Sequence, residues 1–359
     1  MRNSDDDRYL WFDTTNGMMQ AAKRSGEPLI GTFELTARCN LACKMCYIRR
    51  DAGNQQVILQ EKSAKQWISL GEQAAKAGTL FLLLTGGEPL IRPDFKEIYE
   101  AFTQMGFIIT LYTNATLVTA EFAEWIAKIP PNKVEITLYG ASPETYAAVT
   151  GSANAFEKTL RGIDLLIEAG LKITLRTTII HKNMNDIAAM NIIAKDRNLK
   201  MENTLSVIKP VRGAISNTEA ERLSPLEIKN LELEEISSDE ECEPTYKSRA
   251  LKVTVSKEPM FCSAGKCSYW VAWDGRMLPC AMMDKPYSLP FCSSFEMAWE
   301  KLKLGILDIT SPEECGVCQY KPYCSVCPAK LQAETGSFNE LSQYVCEMAH
   351  MVFDKQAKI

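Results

Sequence analysis

Three cysteines on one short stretch, Cys39, Cys43 and Cys46 in the order Cys-Asn-Leu-Ala-Cys-Lys-Met-Cys, follow directly on an apolar run from Ile30 to Leu35. Thiolates so spaced on one tight loop can hold three irons of a four-iron cluster. The next cysteine is Cys242 and the only histidines are His181 and His350, so nothing local serves the fourth iron, which stays open for a substrate. An electron-transfer cluster closes its sphere with four cysteines, and a structural zinc site also needs four protein ligands. A zinc knuckle or a redox-active thiol cluster is the plainer alternative for the same residues.

Two further constellations accompany the first. Gly86-Gly87-Glu88-Pro89 directly follows the apolar run Leu80 to Thr85, and paired glycines let backbone approach a ligand closely. After Pro259 come Cys262, Cys267 and Cys280, with four residues between Gly275 and Cys280. Cys315, Cys318, Cys324 and Cys327 follow, separated by two, five and two residues, and Cys346 closes the series. Eight thiolates suffice for two four-cysteine sites. Iron and zinc both accept four thiolates, so this run also reads as a pair of zinc ribbons. Cys242 and Cys292 are left over, expected as buried free thiols, although Cys292 can stand in for a ligand.

The spacing of Cys39, Cys43 and Cys46 resembles the signature of the radical S-adenosylmethionine (radical SAM) enzymes, and Gly86 to Pro89 stands where that family has its second motif. The later cysteines resemble the SPASM extension of members that act on peptides, departing in having two residues rather than three between Cys324 and Cys327. The resemblance implies that the open iron is chelated by S-adenosylmethionine. Reductive cleavage would then give a 5′-deoxyadenosyl radical that takes hydrogen from an unactivated C–H bond. It implies three 4Fe-4S clusters, one on Cys39, Cys43 and Cys46, a first auxiliary one on Cys262, Cys267, Cys280 and Cys327, and a second on Cys315, Cys318, Cys324 and Cys346. Gly86, Gly87, Glu88 and Pro89 would receive the amino group of S-adenosylmethionine, and Thr113 and Asn114 the ribose. Thr137 and Arg176 would meet ribose or carboxylate, Arg176 by bidentate pairing. The backbone at Met45 to Tyr47 would meet adenine, with Met45 standing where an aromatic residue is commoner.

Sulfatase maturases in this group carry an Asp directly after the cysteine equivalent to Cys280. This chain has Ala281, Met282 and Met283 there, leaving Asp284 as a candidate acid or base. Formylglycine formation needs a base within hydrogen-bonding reach of its substrate. The resemblance therefore implies first a peptide- or protein-modifying oxidoreductase of the kind that makes thioether or carbon–carbon crosslinks or inverts stereocentres. Formylglycine formation and small-molecule or quinone-cofactor biosynthesis are the alternatives. An electron donor such as flavodoxin or ferredoxin is implied. About 28 residues precede the first strand, so a separate leader-peptide-binding protein, or the barrel mouth itself, is expected to recognise a leader peptide.

The elements that must position these residues are legible in the hydropathy pattern. The composition, 46% hydrophobic and 24% charged over 359 residues, is that of a globular protein of two or three domains. A net charge of −5 and a pI near 5.4 argue against nucleic acid and anionic membranes as partners. Met1 to Asp7 is acidic and without an apolar core, and Leu80 to Leu84 is far too short to span a bilayer, so a reducing cytoplasm is expected. Candidate strands are Ile30 to Thr36, Leu80 to Thr85, Phe107 to Thr113, Val134 to Tyr139, Leu171 to Ile179 and Met201 to Ile208. Helical spacing of Ala64, Trp67, Ile68, Gly71, Ala74 and Ala75 marks one intervening helix. Asp94 with Glu97 suggests a capping box, Ser142 with Pro143 a helix start, and Gly78, Gly106 and Gly170 left-handed C-caps.

Strand–helix units in series imply a parallel sheet with right-handed crossovers. Phe33 and Leu35 alternate with Thr32, Glu34 and Thr36, and two later strands alternate likewise. A sheet covered on both faces would read as continuously apolar, so helices are expected on one face and a polar lumen on the other. The expected architecture is α/β: a partial (β/α)6 TIM-like barrel followed by a small cysteine-rich SPASM domain. Its expected divisions are an extension at 1–28, the barrel at 29–218, an acidic bridging segment at 219–258 and the cysteine-rich domain at 259–359. From Glu219 to Glu243 ten acidic residues face two basic ones, as in a solvated helix and linker.

Overall fold

The computed structural model describes residues 4–238, 260, 262–321, 324 and 327–356. Helix α1 (Ser4–Ser25) precedes β1 (Ile30–Glu34), and the two-residue strands β2 (Arg38–Cys39) and β3 (Arg50–Asp51) pair to close the cysteine loop. There follow α2 (Gln55–Gln60), α3 (Ala64–Lys76), β4 (Phe81–Thr85), α4 (Phe95–Gln104), β5 (Ile108–Thr113), α5 (Ala120–Ala127) and β6 (Lys133–Thr137). The barrel region ends with α6 (Pro143–Thr150), α7 (Ala155–Glu168), β7 (Ile173–Thr178), α8 (Ile187–Asp196) and β8 (Lys200–Thr204). Beyond it lie α9 (Thr218–Glu221), α10 (Pro225–Ser238), β9 (Ser268–Val271), β10 (Met277–Leu278), α11 (Phe295–Leu307), α12 (Pro328–Thr335) and α13 (Gln343–Gln356).

The six expected strands are present in the order β1-β4-β5-β6-β7-β8, all parallel. Phe33, Leu35, Leu82, Leu84, Ile109, Leu111, Val134 and Ile136 point to one side and bury Trp67, Ile98 and Phe102 of α3 and α4. Phe33 lies 5.1 Å from Trp67 and 5.5 Å from Phe102 between ring centroids. Each such side chain contributes about 1.5–3 kcal/mol relative to exposure. The register sets Thr110 opposite Lys133, Tyr112 opposite Glu135, Thr137 opposite Arg176, and Arg176 opposite Glu202. These positions alternate with the apolar ones, so the other face is polar, as expected for a helix layer on one side only.

Local signals mostly hold. Ser63 and Gln66 form a capping box at α3, Ser142 caps α6 with Pro143 in its first turn, and Gly78, Gly106 and Gly170 have φ of 101°, 83° and 76°. The box expected at Asp94 does not form: Asp94 makes no side-chain cap hydrogen bond. Its carboxylate is taken by the guanidinium of Arg92, at 2.9 and 2.7 Å, and Arg92 also donates to the Leu35 carbonyl. A charge-assisted bidentate pair outcompetes a single cap bond.

The sheet does not stop at β1. Strand β9 runs parallel to β1 with Ile30 opposite Ser268, and β10 pairs antiparallel to β9, making eight strands. The cysteine-rich region therefore shares the barrel's own sheet. Gly31 permits this, since a β-carbon there would lie 2.5 Å from the Tyr269 hydroxyl. Tyr269 packs on Phe295 and Trp299 of α11, and Trp299 Nε1 donates to the Gly26 carbonyl. The N-terminal segment is the helix α1, whose Met19 and Ala22 pack on Leu29, Phe81 and Cys267. The acidic stretch is helical over Thr218–Glu221 and Pro225–Ser238, and its part after 238, with Cys242, lies outside the described residues. Among the described residues no helix is long and apolar enough to cross a membrane.

Candidate functional site

The cysteine loop leaves the C-terminal end of β1 and is held from both sides. Ala42 N–H donates to the Thr150 carbonyl at 2.8 Å and Lys44 N–H to Val149 at 2.9 Å, so the end of α6 fixes the loop's middle. Cys39, Cys43 and Cys46 interact with one another. Cys39 accepts from Leu41 N–H (3.4 Å) and Asn114 Nδ2 (3.8 Å), while the Tyr139 phenol tempers the rise of the Cys43 thiol and the backbone N–H groups of Ile48 and Arg49 that of Cys46. Burial pushes all three thiols up, Cys39 to about 12, so loading metal must displace protons. Buried sulfurs in mutual reach, free of disulfides and ringed by donors, fit a thiolate-bound cluster.

Gly86 and Gly87 pack their backbone against the stem of the cysteine loop. A β-carbon at Gly86 would lie 2.6 Å from the Thr36 carbonyl oxygen, and one at Gly87 would lie 2.4 Å from that of Arg38. Gly87 N–H donates to Thr36 (2.8 Å) and Glu88 N–H to Arg38 (2.9 Å). The turn is thus clamped on the stem of the cysteine loop. A Gly87→Ala chain is expected to lose about 1–3 kcal/mol of stability and to bind S-adenosylmethionine more weakly, read by thermal denaturation and by equilibrium dialysis. An unchanged melting temperature would show that the clamp is slack.

Glu88 is completely buried and ties its own turn to the end of β5. It accepts from Leu90 N–H at 3.0 Å, Thr113 Oγ1 at 2.9 Å and Asn114 N–H at 2.7 Å. Pro89 opens a short 3-10 turn behind it. Burial outweighs these donors and pushes the carboxyl up to about 7. Between the usual 4.5 and 7 the native chain binds more protons here than the unfolded chain, so stability falls as pH rises through that window. The shift corresponds to about 3 kcal/mol. The stability of wild type relative to Glu88→Gln is therefore expected to drop by that amount from pH 4.5 to 7, measured by chemical denaturation at stepped pH.

Thr113 and Asn114 are buried at the end of β5 beside the cysteine loop, Asn114 also donating to Asn40. Thr137 and Arg176 sit opposite one another at the ends of β6 and β7. Arg176 is paired with Glu135 and, at 2.8 Å, with Glu202, while Lys133 pairs with Glu135 and Lys200 with Glu202. This makes an alternating ladder of charge across the lumen wall, with the Tyr112 hydroxyl on Glu135 and Arg176 over the Tyr112 ring. Met45 is buried, and the Tyr47 carbonyl accepts from Val211 N–H.

The later cysteines fall into two groups. Cys262, Cys280 and Cys327 interact mutually, burial pushing Cys280 up to about 12. Cys267 interacts with Cys262 but lies against α1, its sulfur 3.9 Å from the Met19 carbonyl. Cys315, Cys318, Cys324 and Cys346 line one cavity with Tyr320 and His350. Cys292, expected to be buried, is exposed, because the turn after Phe291 faces outward. Asp284 is half-exposed, 3.7 Å from Arg276. Among the described residues no three His, Cys, Asp or Glu side chains converge on a single metal ion.

Sequence reasoning missed Glu34, Tyr139 and Arg212 as members of the site. Glu34 stands on the polar face of β1, fully buried, and accepts from Arg212 Nη2 and Trp270 Nε1, both at 3.0 Å. Its inward register was a usable signal, as was that of Tyr139 just beyond β6. No local pattern marks Arg212.

A partial α/β barrel with three cysteines after its first strand and a glycine turn after its second suits an iron–sulfur cluster with a ligand at the strand ends. Residues 33–192 match the radical SAM superfamily model, so the barrel carries a radical SAM domain. The chain is 28% identical over 342 residues to an AdoMet-dependent heme synthase of Methanosarcina barkeri, covering 88% of this chain and 96% of that one. To the antilisterial bacteriocin subtilosin biosynthesis protein AlbA of Bacillus subtilis it is 26% identical over 322 residues, 84% of this chain and 68% of the other. The structure of Streptococcus suis SuiB bound to S-adenosylmethionine superposes with a TM-score of 0.68 at 16% identity, covering 96% of this chain and 84% of SuiB.

Proposed function

We propose that the chain modifies a peptide or protein, forming a thioether or carbon–carbon crosslink or inverting a stereocentre, as in the maturation of ribosomally made peptides. The observation that carries this reading is the lumen wall, where Lys133, Glu135, Arg176, Glu202 and Lys200 alternate in charge. Such a wall suits amide groups and charged side chains, whereas a flat apolar ligand calls for an apolar slot. The similarity to AlbA points the same way.

When bound, a cluster on Cys39, Cys43 and Cys46 with S-adenosylmethionine supplies a carbon-centred radical that removes hydrogen from an unactivated C–H bond. Around it we assign the backbone of Gly86 to Pro89 to the amino group, Thr113 and Asn114 to the ribose, and the backbone at Met45 to Tyr47 to adenine. Thr137 and Arg176 would face ribose or carboxylate. Arg176 is 43% exposed, so one nitrogen can turn to a carboxylate while Glu135 keeps the other end. Cys262, Cys267, Cys280 and Cys327 would hold one auxiliary cluster, Cys267 by turning from Met19, and Cys315, Cys318, Cys324 and Cys346 the other. Crossed ligation would tie α12 and α13 to the sheet. A flavodoxin- or ferredoxin-type donor would supply electrons, and a separate protein would present a leader peptide. Asp284 remains a candidate proton acceptor.

A second reading, a reaction on an iron porphyrin, is favoured by one observation: the similarity to the M. barkeri heme synthase runs over 96% of that protein. One experiment tests both. The anaerobically reconstituted chain, expected to carry about twelve irons if all three clusters form, is incubated with dithionite, S-adenosylmethionine and either cysteine-containing peptides or an iron porphyrin. Loss of two hydrogens from a peptide, or uptake of one deuterium from D2O, supports the peptide reading. A mass change confined to the porphyrin overturns it.

A further inference from the structure

We propose that Glu61 is a positioning residue for S-adenosylmethionine: its carboxylate, closed on Arg38 and Arg92, fixes Cys39 against the turn from Gly86 to Glu88, so that the two segments meeting one ligand keep one spacing. The inference rests on the radical SAM reading of the cysteine loop. Arg38 immediately precedes Cys39, and each nitrogen of its guanidinium has a partner. Nε and Nη2 donate to the two oxygens of Glu61 at 2.8 and 3.0 Å, and Nη1 donates to the Ala52 carbonyl at 3.2 Å. The Thr36 hydroxyl donates to Glu61 Oε1 and accepts from Arg38 N–H, the latter at 2.9 Å. Arg92, which closes the short 3-10 turn opened by Pro89, brings Nη1 to 3.7 Å from Glu61 Oε2 and donates from Nη2 to the neighbouring Lys62 carbonyl at 2.9 Å. One carboxylate from the α2–α3 connection thus joins the stem of the cysteine loop to the end of the glycine turn.

Glu61 is itself held on both sides. Its N–H donates to the Val57 carbonyl at the end of α2 at 3.0 Å, and Ser63, two residues on, opens α3 through its capping box with Gln66. The side chains of Arg38, Glu61 and Arg92 are 10%, 9% and 4% exposed, and with Asp94 two guanidinium groups meet two carboxylates. Buried ion pairs hold a fold together no better than apolar side chains of the same volume. What they add is direction, since a two-point guanidinium–carboxylate contact fixes angle as well as distance. Direction matters at this place. A β-carbon on Gly87 would lie 2.4 Å from the Arg38 carbonyl oxygen, and Glu88 N–H donates to that oxygen at 2.9 Å. A rotation of Arg38 therefore turns its carbonyl against the glycine turn and carries Cys39 with it. Groups one layer out orient the ligands of a metal centre in this way, and a misplacement of about 1 Å in a reacting site costs on the order of 10²-fold.

The test compares the anaerobically reconstituted full chain with Glu61→Gln, with Arg38→Lys, and with the apolar double substitution Glu61→Leu plus Arg38→Met. Equilibrium dialysis at wild-type iron content gives the affinity for S-adenosylmethionine, and thermal denaturation of the same samples gives stability. Each single variant loses the two-point contact and is expected to bind S-adenosylmethionine about tenfold more weakly. The double variant should regain the melting temperature of wild type and keep the weakened binding. That split separates positioning from mere support of the fold. Affinity that returns together with stability in the double variant overturns the proposal, as does wild-type affinity in both single variants. Where a variant takes up no iron, amide hydrogen exchange of the metal-free chains decides. Exchange over residues 38–46 about tenfold faster than in wild type, with β4 and β5 unchanged, supports the proposal; unchanged exchange, or acceleration throughout the chain, overturns it. A wild-type chain that binds no S-adenosylmethionine at full iron content would sink the radical SAM reading and this inference with it.

Discussion

Replacing Cys39, Cys43 or Cys46 by alanine is expected to bring reductive formation of 5′-deoxyadenosine down to the level of a no-enzyme control. With one thiolate gone the loop offers two ligands to a cluster that already lacks a fourth, and no described histidine or cysteine stands by to replace it. Asn114 and the amide of Leu41 would then address a sulfur set that no longer holds iron. Chromatographic assay of 5′-deoxyadenosine alongside iron analysis makes the check. Alanine at the exposed Cys292 is the matched control and should leave both readings at the wild-type level. Persistent 5′-deoxyadenosine in all three loop variants would falsify the assignment of the loop as the place where S-adenosylmethionine is cleaved.

The second large effect is expected from Arg212. After β8 the chain turns through two successive left-handed residues, Arg212 (φ 49°) and Gly213 (φ 75°), and the first is a strained conformation for a side-chain-bearing residue. The turn delivers a guanidinium with no exposed surface to Glu34, which has none either. The same group donates to the Ala281 carbonyl at 2.9 Å and lies 5.8 Å from the centre of the Tyr47 ring. Arg212 thus joins the residue after Cys46, the residue after Cys280 and the first strand of the barrel. Removing one partner of such a pair leaves an uncompensated buried charge, at a cost of about 3–5 kcal/mol, whereas replacing both with apolar groups recovers most of it.

Arg212→Met should therefore unfold at clearly lower denaturant than wild type, and Glu34→Leu combined with Arg212→Met should return most of the loss. Burial raises the Glu34 carboxyl even with Arg212 present. Without the guanidinium the native state holds that proton more tightly than the unfolded chain, so the variant should weaken further as pH rises above the usual carboxylate range. Equal stability of wild type and Arg212→Met across pH would show that the pair carries no energetic weight.

Much of this protein was legible because its chemistry is local. Cys39, Cys43 and Cys46 lie on one loop, so their spacing alone limits what they can bind. The barrel strands showed themselves by period-two alternation, and the polar phase of that alternation announced a lumen. Asp94 misled because the cap rule sees four residues, whereas Arg92, bound to the Leu35 carbonyl, sees the next strand over. The glycines of Gly86-Gly87-Glu88-Pro89 stand out in the sequence as sites of close approach, and the loop stem at Thr36 to Arg38 lies against both of them.

Sequence by itself determined the inventory: a loop one ligand short of a closed cluster, a parallel sheet with helices on one side, and eight further thiols in two sets. Tertiary structure alone decided the pairings. Glu34 meets Arg212 across 178 residues, Arg212 reaches the Ala281 carbonyl, and β9 is added beside β1. Hydropathy period and ligand spacing report the geometry of a few neighbouring residues. Which distant side chains share a buried volume depends on sheet register and crossover paths, and no short window of the chain contains those.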